Sequence, residues 1–214
     1  MKVEGYYIEF AGMAGVGKST LVEALTNSKE AKVHHSRLSQ IPRWRLWSLD
    51  VRMLFKTYRF LKRCKLTSRS VFYQKLNGLY WAQRKIKVDS KRHRVSVVDH
   101  GVFQTLRSVK RESTKFDEAW AHHQRLLRLP NHVIVLKANK ALIAKRLSER
   151  DQLNKTYKDV SDYVDATEKL IQEAPPPGVV MHVLFNDRTM DETLSELYAI
   201  LDREQTGWKG AYTR

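Results

Sequence analysis

The sequence predicts an α/β fold built on a parallel sheet, and three observations predict it. Five short apolar runs alternate with helical patterns, as parallel βαβ construction requires. A glycine-rich turn joins the first run to the first helical pattern. The 214 residues suffice for one domain with one full core. The runs are Tyr6 to Ala11, Ala31 to His34, Val95 to Asp99, His132 to Leu136 and Val179 to Phe185. The first is aromatic and β-branched, as a buried strand should be. Behind the turn, Leu21, Val22 and Leu25 have helical spacing, and Asn27 and Ser28 offer a stop. Pro175-Pro176-Pro177-Gly178 ends the helix before the last strand. A final helix is expected from about Met190 to Asp202, signalled by Thr189 or Asp191. The domain is read as residues 1–204, with a loose polar tail over 205–214.

The turn reads Gly12-Met13-Ala14-Gly15-Val16-Gly17-Lys18-Ser19, followed by Thr20. This is a complete G-x-x-x-x-G-K-S phosphate-binding loop in its required strand–loop–helix setting. Its glycines let successive backbone N–H groups face an anion, and the following helix aims its positive end there. Lys18 is placed to reach the β- and γ-phosphates, and the Ser19 hydroxyl to ligate Mg²⁺.

The formal charge is +16, and its location matters more than its size. Residues 37–94 hold 17 Lys and Arg against Asp50 and Asp89, while the rest of the chain nearly balances. That segment also holds nine of the 21 aromatics, including Trp44 and Trp47. A basic, aromatic insertion beside a phosphate loop points to an anionic acceptor or an anionic surface. Within it, Trp47, Val51, Leu54, Tyr58 and Leu61 form an apolar helical stripe. Arg45, Ser48, Arg52, Lys56, Arg59 and Arg63 form a second stripe. The helix packs one face on the core and leaves the other solvated, or it rests on anionic lipid or a large anionic acceptor. Nucleic acid is the other polyanion that suits interleaved cations and aromatics.

No run of 18 apolar residues exists to span a membrane. The N-terminus lacks a secretory pattern, and Cys64 is the only cysteine, so no internal disulfide forms. The expected location is the cytoplasm, with a peripheral membrane contact left open. The pairs His34-His35 and His122-His123 have no Cys or carboxylate at metal-ligand spacing and read as structural or surface residues.

Val95, Val97 and Val98 lead into Asp99-His100-Gly101. A carboxylate at the end of an apolar strand is where such folds place a Mg²⁺-linked or proton-accepting group. Asp99 is read as either, with a turn cap as the plain alternative. Arg146 and Arg150 lie one helical turn apart and can clamp phosphates together. The polar stretch that follows suits a lid over residues 146–160.

Three motifs together resemble the P-loop kinases, in particular the thymidylate kinase and deoxynucleoside kinase group. They are the loop from Gly12 to Thr20, Val97-Val98-Asp99-His100-Gly101, and Arg146-Leu147-Ser148-Glu149-Arg150. The resemblance implies a five-stranded parallel sheet of order 2-3-1-4-5. It also implies an acceptor-binding insertion between strands two and three, here 37–94, and an arginine-bearing lid. Tyr80-Trp81-Ala82-Gln83-Arg84 looks like that group's helix with an acceptor-contacting arginine, which makes Arg84 a candidate. Arg37 and His100 are further candidate acceptor contacts. The chain departs from the group at three points. His100 follows Asp99 where the group has arginine, and Ala11 and Ala14 stand where thymidylate kinases carry acids. These departures argue against thymidylate as acceptor. Asn139-Lys140-Ala141-Leu142 lacks the aspartate of a guanine motif, which argues against a regulatory GTPase.

The sequence therefore reads as an ATP- and Mg²⁺-dependent phosphotransferase. Lys18, Asp99, Arg146 and Arg150 are the candidate catalytic residues, with Ser19 and Asp99 at the metal. The acceptor is an anionic small molecule or a lipid-linked one. Two rivals stay open: an ATPase switch that binds nucleic acid or membrane through the insertion, and a nucleic-acid end kinase. Oligomeric state is not readable.

Overall fold

The apolar run Tyr6–Ala11 forms the central strand, β1, of a five-stranded parallel sheet. The computed structural model describes residues 5–28, 33–36, 50–93, 95–149 and 178–203. After β1 come α1 (Lys18–Asn27), β2 (His34–His35), α2 (Val51–Cys64) and α3 (Arg69–Asp89). Then follow β3 (Val95–Val98), α4 (Val102–Arg111), α5 (Phe116–His123) and β4 (His132–Lys137). The described elements end with α6 (Lys140–Ser148), β5 (Val180–Phe185) and α7 (Met190–Arg203). The strand order is β2-β3-β1-β4-β5, every pair parallel, as the resemblance to the P-loop kinases implied.

Each sheet face carries its own apolar core. Ile8, Phe10, Val97, Ile134 and Leu136 pack against Leu21, Val22 and Leu25 of α1 and Leu197 and Leu201 of α7. On the other face, Tyr7 and Val98 meet Phe60 and Leu61 of α2, Leu79 and Ile86 of α3, and Leu106 and Val109 of α4. Helices on both faces explain why the strands read as continuous apolar runs. Local signals start the helices. Ser68 Oγ accepts from the Val71 N–H at 3.2 Å to cap α3, and Asn139 Oδ1 accepts from Ala141 at 2.9 Å to cap α6. Thr189 and Glu192 exchange bonds across the first turn of α7, settling its start on Thr189.

Two expectations need correction. The second strand is His34–His35 rather than 31–34, with residues 31 and 32 outside the described set. The amphipathic helix begins at Val51, because the Asp50 carboxylate caps it by accepting from the Met53 N–H at 3.0 Å. Trp44, Arg45, Trp47 and Ser48 lie outside the described residues. Its buried face is Met53, Thr57, Phe60, Leu61 and Cys64; of the described residues of the expected apolar stripe only Leu61 is buried, Leu54 is intermediate, and Val51 and Tyr58 are 64% and 40% exposed. Thr57 can be buried because its hydroxyl is satisfied. It donates to the Met53 carbonyl at 2.8 Å and accepts from Gln83 Nε2 at 2.8 Å. The Phe60 ring meets Phe116 and Trp120 of α5 edge-on at 5.9 and 6.3 Å. Asp50 also binds Lys87 and, at 3.9 Å, Arg84, which ties the start of α2 to α3.

Substituting each phenylalanine of α2 tests this face. Phe60→Ala should cost about 3–5 kcal/mol in urea denaturation, and Phe55→Ala less than about 0.5 kcal/mol. Equal losses would refute the assignment.

Candidate functional site

The phosphate loop lies between the end of β1 and α1, at the carboxyl edge of the sheet. Gly17 has φ of +95°, and a Cβ there would run into the Asn186 amide. Only glycine fits that position without strain. Lys18 curls back over the loop, its Nζ donating to the carbonyl oxygens of Gly12 at 3.0 Å and Met13 at 2.7 Å. Burial lowers the Lys18 pKa to about 8, with Arg107 adding to the drop and Asp99 opposing it.

Asp99 follows β3, beside this loop. Ser19 Oγ donates to Asp99 Oδ2 at 2.7 Å, joining two residues 80 apart in sequence. Burial raises the Asp99 pKa, but the Ser19 hydroxyl, its own backbone and the charges of His35 and Lys85 outweigh that. The carboxyl ends below its usual range. Both oxygens suit a hard divalent cation such as Mg²⁺, and an ionised carboxylate is what such a cation requires. His100 stands next to Asp99, its imidazole pKa lowered by surrounding protein and by the charges of Lys18 and Lys85.

Beneath this turn lies a residue that the motifs did not identify. Glu9 of β1 is fully buried. Its carboxylate accepts from the backbone N–H groups of Gly101 at 3.2 Å, Phe103 at 2.8 Å and Gln104 at 2.7 Å. These are the first amides of α4, which would otherwise lack partners. Contact is so close that a Cβ on Gly101 would lie 2.5 Å from a Glu9 oxygen. The Gln104 side chain then reaches Gly12, accepting from its N–H at 3.4 Å and donating to its carbonyl at 3.3 Å. One buried carboxylate thus links the Asp99 turn to the first glycine of the loop. Glu9 lies two residues from Ala11 and so on the same strand face. The missing acid at Ala11 leaves that face with a carboxylate nonetheless. Lys85 of α3 is also buried, and its charge reaches Glu9 and Asp99.

On the opposite side of the loop, Arg146 of α6 donates from its guanidinium to the Val16 carbonyl at 3.4 Å. The Asn186 amide, just past β5, donates to the same carbonyl at 2.7 Å. A cleft of about 300 Å³ opens here, lined by Gly15, Gly17, Thr20, Arg146, Asn186 and Arg188 among others. Sequence reading did not identify Asn186 or Arg188. Their signal, Asn-Asp-Arg-Thr between a strand and a helix, looks like ordinary turn chemistry.

The predicted residues divide accordingly. Gly12 to Thr20, Asp99, His100 and Arg146 come together. Arg84 is buried in α3 and pairs with Asp50 at 3.9 Å. Arg37, Arg150 and most of the expected lid and tail lie outside the described residues. His34 does have a carboxylate near it in space, contrary to the sequence reading. The ligand atoms of His34, Asp89 and His93 lie within 4.8 Å of one another. The two imidazoles stack in parallel at 3.7 Å, so their in-plane lone pairs run side by side instead of converging on one point.

No family model and no curated protein matches the sequence. Solved structures do match in shape. A deoxyadenosine kinase from M. mycoides with bound dCTP superposes with a TM-score of 0.56 at 13% identity, covering 92% of this chain and 99% of that one. The same enzyme with bound dATP gives 0.55 at 14% identity, covering 92% and 99%. A thymidylate kinase from Candida albicans gives 0.56 at 13% identity, covering 95% and 93%. This is a P-loop kinase fold. The likeness is one of architecture, and the residues at the site carry whatever follows about chemistry.

Glu9 provides a test by pH. Burial lifts its pKa from 4.5 to about 7, against the pull of the three N–H bonds and Lys85. The folded protein therefore holds a proton that the unfolded chain releases between those values. Stability from this group is complete below pH 4.5 and lost as pH rises through about 7. Wild-type stability should fall relative to Glu9→Gln by up to about 3 kcal/mol over that window in urea denaturation. Parallel pH profiles for the two proteins would refute the assignment.

Proposed function

We propose that this chain is an ATP- and Mg²⁺-dependent phosphotransferase acting on an anionic small-molecule acceptor. The observation that carries the reading is the 2.7 Å bond between Ser19 and Asp99 at the head of α1. It pairs the loop hydroxyl with a strand-end carboxylate, the two protein ligands by which P-loop NTPases hold Mg²⁺. Loop amides and Lys18 hold the β- and γ-phosphates, and the 300 Å³ cleft beside Gly15, Thr20 and Arg146 receives the rest of the donor. Ser19 and Asp99 would hold Mg²⁺, which would supply positive charge to offset that of the phosphates. The low pKa of Asp99 favours the metal-linked role over that of proton acceptor, since a weak base takes a proton poorly. Arg146 is placed to stabilise charge on the transferring group, with Arg150 and the 146–160 lid as its expected partners.

The acceptor side is the region of His100, Lys85 and the 37–94 insertion. Lys85, Lys18 and Arg107 lie within electrostatic reach of this region, so an acceptor with its own negative charge is favoured. Nucleoside monophosphates and phosphorylated sugars have this property. The fold's nucleoside and nucleotide kinases make nucleosides the natural neutral comparison.

The deciding experiment incubates the protein with γ-labelled ATP and a panel of nucleosides, nucleotides, phosphorylated sugars, lipid-linked glycans and oligonucleotide ends. Label should pass to a small anionic acceptor. Lys18→Ala and Asp99→Asn should each lower transfer by about 10²-fold or more, and chelating Mg²⁺ should abolish it. Undiminished transfer by Lys18→Ala would end the proposal. Label on oligonucleotide ends would favour the end kinase. Polymer-stimulated hydrolysis with nothing labelled would favour the switch.

A further inference from the structure

Helix α2 presents three faces, not two. Met53, Thr57, Phe60, Leu61 and Cys64 are buried against the protein. Around the helix from them, at about 100° per residue, come two exposed arcs. One carries Val51, Tyr58 and Phe55, with Lys62 among them, and the other carries Arg52, Lys56, Arg59 and Arg63. Val51 is 64% and Phe55 57% exposed. The apolar arc continues onto α3. The Tyr58 ring meets Phe72 edge-on at 5.5 Å, and Phe72 meets Tyr73, which is 66% exposed, at 5.6 Å. The phosphotransfer reading places the 37–94 insertion on the acceptor side but gives none of these exposed side chains a role.

The surrounding charge is of one sign. The 38 residues from Val51 to Val88 hold 11 Lys and Arg and no Asp or Glu. An exposed aromatic patch of this kind marks a contact surface, and its charge identifies the occupant. A second copy fits poorly, because a twofold interface would press the same cationic arc against itself. A nucleic-acid strand needs open ring faces on which bases stack. Here the rings pack edge against face at 82° and 88°, and the Arg59 guanidinium sits 5.7 Å over the Phe55 ring. The remaining polyanion is a bilayer surface. It would take the apolar arc among its acyl chains and meet the cationic arc with its headgroups, and Lys62 would extend its stem outward between the two.

We propose that the exposed apolar and cationic arcs of α2, extended by Tyr73 of α3, dock this protein on an anionic lipid surface. The inference does not depend on the phosphotransfer reading, and its test is separate. The full chain is sedimented with vesicles of phosphatidylcholine containing about 30% phosphatidylserine, and with phosphatidylcholine alone. Binding should occur only to the anionic vesicles and should fade as salt approaches about 0.5 M. Replacing Arg52, Arg59 and Arg63 together by Gln should weaken partitioning roughly tenfold or more. The pair Phe55→Ser and Tyr73→Ser should weaken it at least about fivefold. Both variants should keep the wild-type denaturation midpoint, since the altered side chains are exposed. Lys18→Ala should bind vesicles as wild type does. Four outcomes would overturn the proposal: no binding at low salt, equal binding to neutral vesicles, unchanged binding by the arginine variant, or a dimer dissolved by Phe55→Ser with Tyr73→Ser. Preferential capture by an oligonucleotide that displaces the vesicles would assign the face to nucleic acid instead.

Discussion

Three backbone N–H groups at the start of α4 converge on the Glu9 carboxylate, and the site depends on that convergence. Without it α4 would begin in the interior with unpartnered amides, each costing about 1–3 kcal/mol. With it, the turn carrying Asp99 and His100 is held against β1, and Gln104 is held against Gly12. The Ser19–Asp99 bond and the Glu9 bonds both set the position of the same turn. The geometry of the Ser19–Asp99 pair thus comes from the sheet edge, with the loop fitted to it. Lys85 lies close enough to lower the cost of the buried charge without removing it.

Much of this was legible in the sequence, for definite reasons. The sheet order came from the resemblance to the P-loop kinases, whereas the phosphate loop, Asp99 and the strands depend on contiguous residues or on short apolar runs, and such signals survive without coordinates. Glu9, Gln104 and Asn186 do not, because each acts on a partner 92, 95 or 170 positions away. Glu9 did leave one trace, a charged residue in the middle of a strand whose other residues are apolar. Buried charges require compensation, and that expectation could have directed attention to it.

The misread face of α2 shows a different limit. Both the stripe through Val51 and Tyr58 and the stripe through Met53 and Phe60 have helical period, and the first contains larger side chains. Periodicity fixes the element but leaves the choice of face to whatever lies beneath. Here the shape of α3 and α5 favours a face with a small Cys64 and a Thr57 whose hydroxyl satisfies itself locally. The aromatic residues left outside make the helix costlier to keep soluble than a core-packed helix needs to be. Such a cost is common where a surface has a second task.

The grip of Arg146 and Asn186 on the single carbonyl of Val16 bears on how the chain matures. One of the loop's two braces lies 170 residues later in the chain. Strand β1 likewise stays an unpaired edge until β3 and β4 have been made on either side. Contacts of such long range form late, because loop closure precedes any reward from them. The loop therefore takes the form shown here only after the strand and turn that carry Asn186 have been made.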